Sequence, residues 1–306
     1  MIVMLLTTKD EGEVLEQNLR HHLAWGADHV GVADNESADD TPERLRAFGD
    51  SVTTERFRDF ADRQEVRMRL LARIQERHGG KVAWAGVSDT DEFLWMPGTD
   101  LRGILAAAPS EVVCVSFHQK LFLPTEGDPA EGPVYLRQTW RTTSYESPLH
   151  TSWVRGKSFY RTSWLREIAS EHRNEDVPHP WWGPDVPVVH HYMIRDEDQF
   201  VMKVRRLTSW RPRTGLSSRL WWHRLRAAVG LPPEKPHVAG FKEEWWNAYA
   251  EGGEEGLRRY YRTNYRIQAA DLPRHEAAGH LVRDTAFAEW MRSRERAGAS
   301  ASKVGP

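Results

Sequence analysis

The first 89 residues alternate between short apolar runs and segments with helical periodicity, and this alternation restricts the fold more than any other feature. Residues 2–6 form a continuous apolar run, which is typical of a strand buried on both faces. Val14, Leu15 and Leu19 then recur at helical spacing. The pattern continues as strand, helix, strand, helix, strand through residue 89. Strands that alternate with helices favour an α/β fold, with a mostly parallel, Rossmann-like central sheet flanked by helices.

The second half of the chain is less regular. Apolar runs predict strands within 111–124 and 186–194. A helix follows, and Asp196 and Gln199 are its predicted capping pair. Residues 213–295 are mostly helical in pattern, so we expect a helical C-terminal extension. The small, polar residues at 296–306 predict a disordered tail.

Composition excludes several classes of function. The chain has 306 residues, 42 basic and 44 acidic, so it lacks the overall positive charge that non-specific nucleic-acid binding requires. Its one cysteine, Cys114, lies in an apolar run and is predicted to be a buried core residue. No apolar stretch approaches the roughly 18–20 residues that span a bilayer. The N-terminal segment reads as a strand and not as a signal peptide, so we expect a cytoplasmic protein.

Polar clusters follow three of the predicted strands. They are "TTKDEGE" after the first strand, "ADNESADDT" after the second and "SDTDEF" after the fourth. Ligands of doubly wound sheets bind at the carboxyl ends of the strands. We therefore expect the three clusters to converge on one site although they are far apart in sequence.

Asp89 and Asp91 are the candidate metal ligands. They stand at positions i and i+2 where a strand ends, so alternation places both side chains on one face. Hard oxygen ligands of this kind suit Mg²⁺ or Mn²⁺, which bind a few carboxylates together with substrate phosphates. The alternative is an ordinary solvated acidic turn. Asp34 ends the second strand, where an acid can accept hydrogen bonds from a ribose or a base.

His190, His191 and Lys157 are further candidates. The two histidines follow an apolar strand and face opposite sides, so one of them is a candidate metal ligand or phosphate contact and the other a core or second-layer histidine; we take His191 as the candidate ligand. The alternative is that both histidines are structural. Lys157 is a candidate phosphate contact, although a single lysine is more often a surface residue.

Several of these segments together resemble the family 2-like glycosyltransferases of the GT-A fold. The similarity is carried by "TTKDEGEVLEQNLRHHLAWGADHVGVADNESADDT", "WAGVSDTDEFL", "GKSFYR" and "VVHHYMIRDEDQFVMKVRR", which match the subgroup with a D-x-D-E-F-L motif. The resemblance covers residues 2 to about 206. It implies a glycosyltransferase domain at 1–212, with a nucleotide-binding half at 1–120 and an acceptor half at 121–212.

The resemblance also implies ligands and roles. The donor would be a UDP- or GDP-linked sugar, bound with Mn²⁺ or Mg²⁺. Glu11 and Asp34 match positions that contact the donor's base and ribose. Asp89 and Asp91 match the motif that holds the ribose and the metal-bound diphosphate. Inverting transfer to a glycan or lipid-linked acceptor, in the synthesis of a cell-surface polysaccharide or glycoconjugate, is the function that follows.

An inverting transfer needs a general base near the anomeric carbon. The candidates lie in "SEHRNEDVPHPWWGPD", and they are His172, Glu175 and Asp176, with Glu171 beside them. Trp181-Trp182 in the same segment is a candidate stacking platform for a sugar acceptor. The basic, aromatic segment "RLWWHRLRAAVG" is a candidate for peripheral membrane contact, and the alternative is a helix packed on the sheet.

Two other functions remain open at this point. A metal-dependent phosphoester hydrolase would use the same carboxylates with His190 or His191 and would need a second metal about 4 Å from the first. A non-catalytic protein that binds nucleotide sugars or glycans would carry a broken D-x-D, and here the motif is intact.

Overall fold

The computed structural model describes most of the chain: residues 1–59, 62–144, 146–149, 156–163, 187–209 and 243–301. Its strands are β1 (Ile2–Thr8), β2 (His29–Asp34), β3 (Val52–Arg56), β4 (Trp84–Asp89), β5 (Glu92–Trp95), β6 (Cys114–Leu123), β7 (Trp140–Thr142), β8 (Gly156–Arg161), β9 (Val188–His191) and β10 (Leu281–Arg283). Its helices are α1 (Gly12–Ala24), α2 (Thr41–Arg46), α3 (Arg63–Arg77), α4 (Leu101–Ala107), α5 (Val134–Arg137), α6 (Glu197–Ser209), α7 (Glu243–Asn264), α8 (Leu272–Ala277) and α9 (Ala286–Ala301).

The N-terminal half of the sheet is parallel. Strands β3, β2, β1 and β4 lie side by side in that order, and every pair among them is parallel. The register places Thr7 beside Asp89 and Thr8 beside Asp34. The carboxyl ends of β1, β2 and β4 therefore meet at one edge. The predicted α/β class, with a central sheet flanked by helices, is confirmed.

The second half extends the same sheet by mixed pairing. Strand β8 is antiparallel to both β4 and β6, and β9 runs parallel to β6 and antiparallel to β5. Strands β7 and β10 form the far edge. This arrangement brings the end of β9 next to the turn between β4 and β5.

The expected C-terminal helices are present, and two features of this part were not predicted. Residues 213–295 also supply β10, which pairs with β7 about 140 residues earlier in the chain. Such a short strand exists only because its partner is present, so local patterning does not reveal it. Helix α9 runs to Ala301 and so enters the segment expected to be a disordered tail.

The core follows the predicted periodicity. Val66, Leu70 and Ile74 form one fully buried face of α3 against the sheet. Cys114 is 2% exposed, as expected for a core residue. Trp245 on α7 is also buried, and its indole N–H donates to the Tyr265 hydroxyl at 2.7 Å. Among the helices described, none is both long and apolar enough to cross a membrane.

Candidate functional site

The three polar clusters meet at the carboxyl edge of the parallel strands, as predicted. Lys9 Nζ donates to the Asn35 carbonyl at 2.6 Å, and the Asp10 amide donates to Ser37 Oγ at 2.8 Å. Thr90 Oγ1 donates to the Thr7 carbonyl at 3.2 Å. These bonds join the loops that follow β1, β2 and β4 into one surface.

Asp91 lies at the centre of this surface, in the turn between β4 and β5. Its side chain is 8% exposed, with Lys203 Nζ 3.1 Å from Oδ2 and His191 Nε2 3.6 Å from Oδ1. Burial by itself would raise the pKa of Asp91, but Lys203, His191 and Arg195 outweigh it and hold that pKa well below its usual range. The carboxylate is therefore ionised and surrounded by cationic or potentially cationic groups.

The two histidines of β9 face opposite sides, as alternation predicts. His190 is fully buried and stacks on Phe122, with ring centroids 5.2 Å apart. Burial, followed by the charge of Lys120, holds the pKa of His190 well below its usual value, so the ring is a neutral core group. His191 points instead to Asp91 and pairs through Nδ1 with the side-chain amide of Gln119 on β6.

Gln119 therefore sets the orientation of the His191 ring. A histidine that ligates a metal has its other ring nitrogen held by a hydrogen-bonding partner, which fixes the tautomer. The assignment of amide oxygen and nitrogen in Gln119 is decided by the surrounding network. In the structure Gln119 Nε2 faces Nδ1, so the amide donates to that nitrogen and His191 Nε2 carries the proton toward Asp91. Rotating the amide by 180° turns its oxygen to Nδ1, which then donates and leaves the Nε2 lone pair for a metal.

Asp89 ends β4 and is the more accessible of the two aspartates. Its side chain is 40% exposed, and Oδ2 lies 2.8 Å from Lys157 Nζ. Arg67, on α3, places Nη2 3.6 Å from the other carboxylate oxygen. The Asp89 carboxylate therefore contacts buried cations on one side and is exposed to solvent on the other.

Lys157 is buried, although it was predicted as a phosphate contact. Its side chain is 1% exposed, and its ammonium also lies 3.2 Å from Glu92 Oε2. An ammonium between two carboxylates at the base of the site is placed to position Asp89. Its contact with a phosphate stays a prediction.

Glu92 supports the turn between β4 and β5. Its Oε2 accepts from Ser88 Oγ and from the Asp89 amide, both at 2.9 Å. Burial raises the pKa of Glu92, and the charge of Lys157 offsets part of this effect. These bonds fix the backbone that presents Asp89 and Asp91.

Asp34 and Glu11, the candidate nucleoside contacts, are both engaged within the protein. Asp34 is 2% exposed; its Oδ1 accepts from the Ser37 amide at 2.9 Å, and its Oδ2 lies 3.3 Å from Arg56 Nε. Glu11 forms an ion pair with the buried Arg195. Their positions at the ends of β1 and β2 match the prediction, while their contact with a nucleoside stays a prediction.

A cleft of about 730 Å³ opens beside Glu11. Its walls come from the loops after β1 and β6 and from α6, and Arg195 and Met202 are among the lining residues. Arg195 links the cleft to the acidic site, since it lines the cleft, pairs with Glu11 and contributes its charge to lowering the pKa of Asp91.

No role was predicted for several side chains of the site, among them Lys203, Arg195 and Gln119. The first two lie in the segment "VVHHYMIRDEDQFVMKVRR", which was noted only as a whole. The predicted cap of α6 is present, since the Gln199 amide donates to Asp196 Oδ1 at 2.8 Å. This cap sets where α6 begins and hence where Lys203 faces. Nothing in the local sequence indicates a role for Gln119, because that role depends on the pairing of β6 with β9.

The donor set fits a divalent cation that also binds phosphate oxygens. Within the described ranges, no three His, Cys, Asp or Glu side chains form a ready metal cluster. Mg²⁺ and Mn²⁺ do not require one, since one or two carboxylates and substrate phosphates complete their shell. Asp91 Oδ1 and His191 Nε2 lie 3.6 Å apart, close enough for one ion to bind both after a small adjustment. The Asp89 carboxylate lies on the solvent-exposed side of this proposed metal site.

The predicted general bases His172, Glu175 and Asp176, and their neighbour Glu171, lie outside the described residues. So do Trp181-Trp182 and the segment "RLWWHRLRAAVG". Their roles stay predictions.

Comparison with known proteins gives a partial structural likeness only. No family model matches the sequence, and no curated protein matches it. The chain is similar to glucosyl-3-phosphoglycerate synthase from Mycobacterium tuberculosis in complex with phosphoglyceric acid, at 20% identity over 39% of this chain and 44% of that one, with a TM-score of 0.29. The same enzyme with Mn²⁺, UDP-glucose and phosphoglyceric acid matches at 17% identity over 39% and 44%, with a TM-score of 0.28.

A further mycobacterial protein matches at 20% identity over 40% of this chain and 41% of that one, with a TM-score of 0.29. The chain spans less than half the length of these structures.

Proposed function

We propose that this protein is a divalent-metal-dependent glycosyltransferase that moves one sugar from a nucleotide-sugar donor to an acceptor hydroxyl. One observation carries the proposal. Asp89 and Asp91 lie at the carboxyl end of β4, with His191 Nε2 3.6 Å from Asp91 Oδ1 and a lysine on each aspartate. Carboxylates that can share a cation, set among fixed positive charges, form an arrangement that binds a diphosphate.

Each proposed role follows from position. Asp91 and His191 hold the metal, and Asp89, with its exposed face, holds the ribose and the cation-bound diphosphate. When bound, the cation stabilises the negative charge that develops on the leaving diphosphate. Lys203 and Arg195 add positive charge at the same place. Arg195 is buried and paired with Glu11, and a charge that does not reorient during the reaction makes such stabilisation effective.

The nucleoside is proposed to lie over the ends of β1 and β2. Asp34 would accept from the ribose through its second oxygen, where Arg56 now lies 3.3 Å away. Glu11 would contact the base from the next loop, with Arg195 holding its carboxylate in place. The donor is proposed to be UDP- or GDP-linked, and UDP-glucose is the first to test because it is bound in one of the similar structures.

The acceptor is proposed to enter by the cleft beside Glu11. Its hydroxyl must lose a proton as the glycosidic bond forms, and Glu175, Asp176 and His172 stay the proposed bases for an inverting transfer. A glycan or lipid-linked acceptor in polysaccharide or glycoconjugate synthesis is the proposed context. Peripheral membrane contact belongs to the same proposal.

A phosphoester hydrolase is the second candidate, and the geometry favours it less. Two metals about 4 Å apart would need bridging and flanking ligands. The part of the chain that the structure describes holds no group of three metal-binding side chains, and His190 is turned into the core.

A ligand screen tests the proposal. Nucleotide sugars are added with and without Mn²⁺, and thermal unfolding is followed for the wild type and for Asp91→Asn. A donor at 100 times its dissociation constant should stabilise the wild type by about 2.7 kcal/mol, and only with the metal present. The matched control is Asp50→Asn, which removes a carboxylate that is 96% exposed and distant from the site.

Two results decide the screen. The proposal requires a metal-dependent shift that Asp91→Asn abolishes and Asp50→Asn keeps. A screen in which no nucleotide sugar stabilises the wild type in a metal-dependent way would refute the transferase. The selected donor is then incubated with candidate acceptors, and release of nucleoside diphosphate above hydrolysis separates transfer from simple binding.

A further inference from the structure

Lys203 pairs with Oδ2 of the Asp91 carboxylate, whose other oxygen, Oδ1, faces His191 and the proposed metal. Its ammonium lies 3.1 Å from Asp91 Oδ2 and also donates to the Met193 carbonyl at 3.0 Å. The side chain is 25% exposed, whereas that of Asp91 is 8% exposed. The ammonium therefore sits at the mouth of the site, over a buried carboxylate.

The helix that carries Lys203 is held firmly, so only its side chain is free to move. The Asp196 cap fixes the first turn of α6, and Phe200 and Val204 are fully buried. Phe200 packs edge-on against Trp245 of α7, with ring centroids 5.3 Å apart. Lys203 projects from this anchored helix on a flexible four-carbon stem, which can move the ammonium without moving the backbone.

A divalent cation and the Lys203 ammonium compete for the same carboxylate. Both are positive, and at a separation of 3–4 Å in a partly buried site their repulsion is substantial. An ammonium has three donors and no acceptor, so it needs another partner when it leaves Asp91. The Met193 carbonyl satisfies one donor. A diphosphate bound next to the metal would supply negative oxygens for the others.

We propose that Lys203 takes the place of the divalent cation on Asp91 until a diphosphate-bearing ligand binds, and that it thereby couples cation binding to ligand binding. The cation alone must displace an ammonium, whereas the cation and the diphosphate together give that ammonium a new partner. The coupling is reciprocal, so each ligand strengthens the binding of the other. This inference rests on the proposed function.

Mn²⁺ binding tests the coupling. Free Mn²⁺ is titrated by electron paramagnetic resonance on the full chain, alone and with inorganic pyrophosphate as a diphosphate that carries no nucleoside. Lys203→Met should bind Mn²⁺ alone about tenfold more tightly than the wild type, equivalent to about 1.4 kcal/mol. Pyrophosphate should strengthen Mn²⁺ binding in the wild type and have a clearly smaller effect in Lys203→Met.

Arg205→Met is the matched control. Arg205 lies two residues further along α6, is 57% exposed and pairs with Glu254, so its loss removes one positive charge without touching Asp91. Its Mn²⁺ affinity should equal that of the wild type. Lys203→Gln, which removes the charge and keeps a hydrogen-bond donor, provides a second variant should Lys203→Met fail to fold.

The outcomes separate this inference from the proposed function. Equal Mn²⁺ affinity in the wild type and the folded Lys203 variant would overturn the coupling, and so would an equal gain in Arg205→Met. Failure of the proposed function looks different: Mn²⁺ would bind no variant even with pyrophosphate, or would bind Asp91→Asn as tightly as the wild type.

Discussion

Replacing Lys157 by Met distinguishes a positioning residue from a phosphate ligand. The ammonium lies 2.8 Å from Asp89 Oδ2 and 3.2 Å from Glu92 Oε2, and the lysine side chain is 1% exposed. Methionine keeps an apolar stem of similar length and removes the charge. Two carboxylates then remain at the base of the site without the cation that lies between them.

The size of the effect follows from burial. Breaking a buried ion pair by removing one partner costs about 3–5 kcal/mol. Water can rehydrate Asp89, whose side chain is 40% exposed, and Glu92 can take up a proton because its pKa is already raised by burial. Both effects reduce the cost, so we expect Lys157→Met to lower the free energy of unfolding by about 2–3 kcal/mol.

Urea unfolding followed by circular dichroism measures this cost, and nucleotide binding is measured on the same samples. Lys120→Met is the control, because its ammonium is 3.5 Å from Asp284, which Arg141 also neutralises at 2.6 Å. It should cost less than about 1 kcal/mol. Adding Glu92→Gln to Lys157→Met should recover part of the loss, since the two sites are coupled. A stability loss under about 0.5 kcal/mol together with abolished nucleotide binding would refute the positioning role.

Three further predictions address other parts of the molecule. Gln119→Leu frees the His191 ring and should weaken Mn²⁺ binding about 10–100-fold in a paramagnetic resonance titration. Gly86→Ala places a Cβ 2.6 Å from the ring of the buried Phe159. Urea unfolding should therefore show a free energy of unfolding that is lower by about 1–3 kcal/mol. Burial lowers the pKa of His21 to about 3, so the unfolded chain takes up a proton on this ring at a higher pH than the folded protein does. The free energy of unfolding should therefore fall by about 1.4 kcal/mol per pH unit, for each histidine buried in its neutral form, as the pH drops below about 6.5.

Each of these predictions has a contrasting result. Gln119→Glu keeps a hydrogen-bond acceptor for the His191 ring and should retain most of the Mn²⁺ affinity. An equal loss of Mn²⁺ affinity in Gln119→Leu and Gln119→Glu would contradict the role of Gln119 in orienting that ring. Gly127→Ala meets no atom within 4 Å and should be nearly neutral, so a similar cost at both glycines would contradict the packing argument. A free energy of unfolding that does not change between pH 6.5 and 5 would contradict the conclusion that these buried histidines are neutral in the folded protein.

The parts of the site that depend on local pattern could be predicted from the sequence. Asp89 and Asp91 stand where an apolar run ends, and strand alternation predicted that His190 and His191 face opposite sides, although not which of them faces the site. The alternation of apolar runs with helical segments predicted the parallel strands. In each case the information lies within a few residues of the group concerned.

The remaining features depend on partners that are distant in the chain. Lys157 becomes a buried counter-ion because β8 pairs with β4, which is about 70 residues earlier. Lys203 reaches Asp91 across 112 residues. A lone lysine looks the same in sequence whether it meets solvent or a buried carboxylate, so its burial follows only from the tertiary pairing.

The position of the cation is the most direct test of the account. Crystals are grown with Mn²⁺ and the nucleotide that the ligand screen selects, and anomalous diffraction locates the metal. We expect one Mn²⁺ about 2.0–2.3 Å from a carboxylate oxygen of Asp91 and from His191 Nε2, with phosphate oxygens completing its shell. A nucleotide-bound crystal with Mn²⁺ elsewhere, or with the Lys203 ammonium still on Asp91 and no metal beside it, would contradict the account.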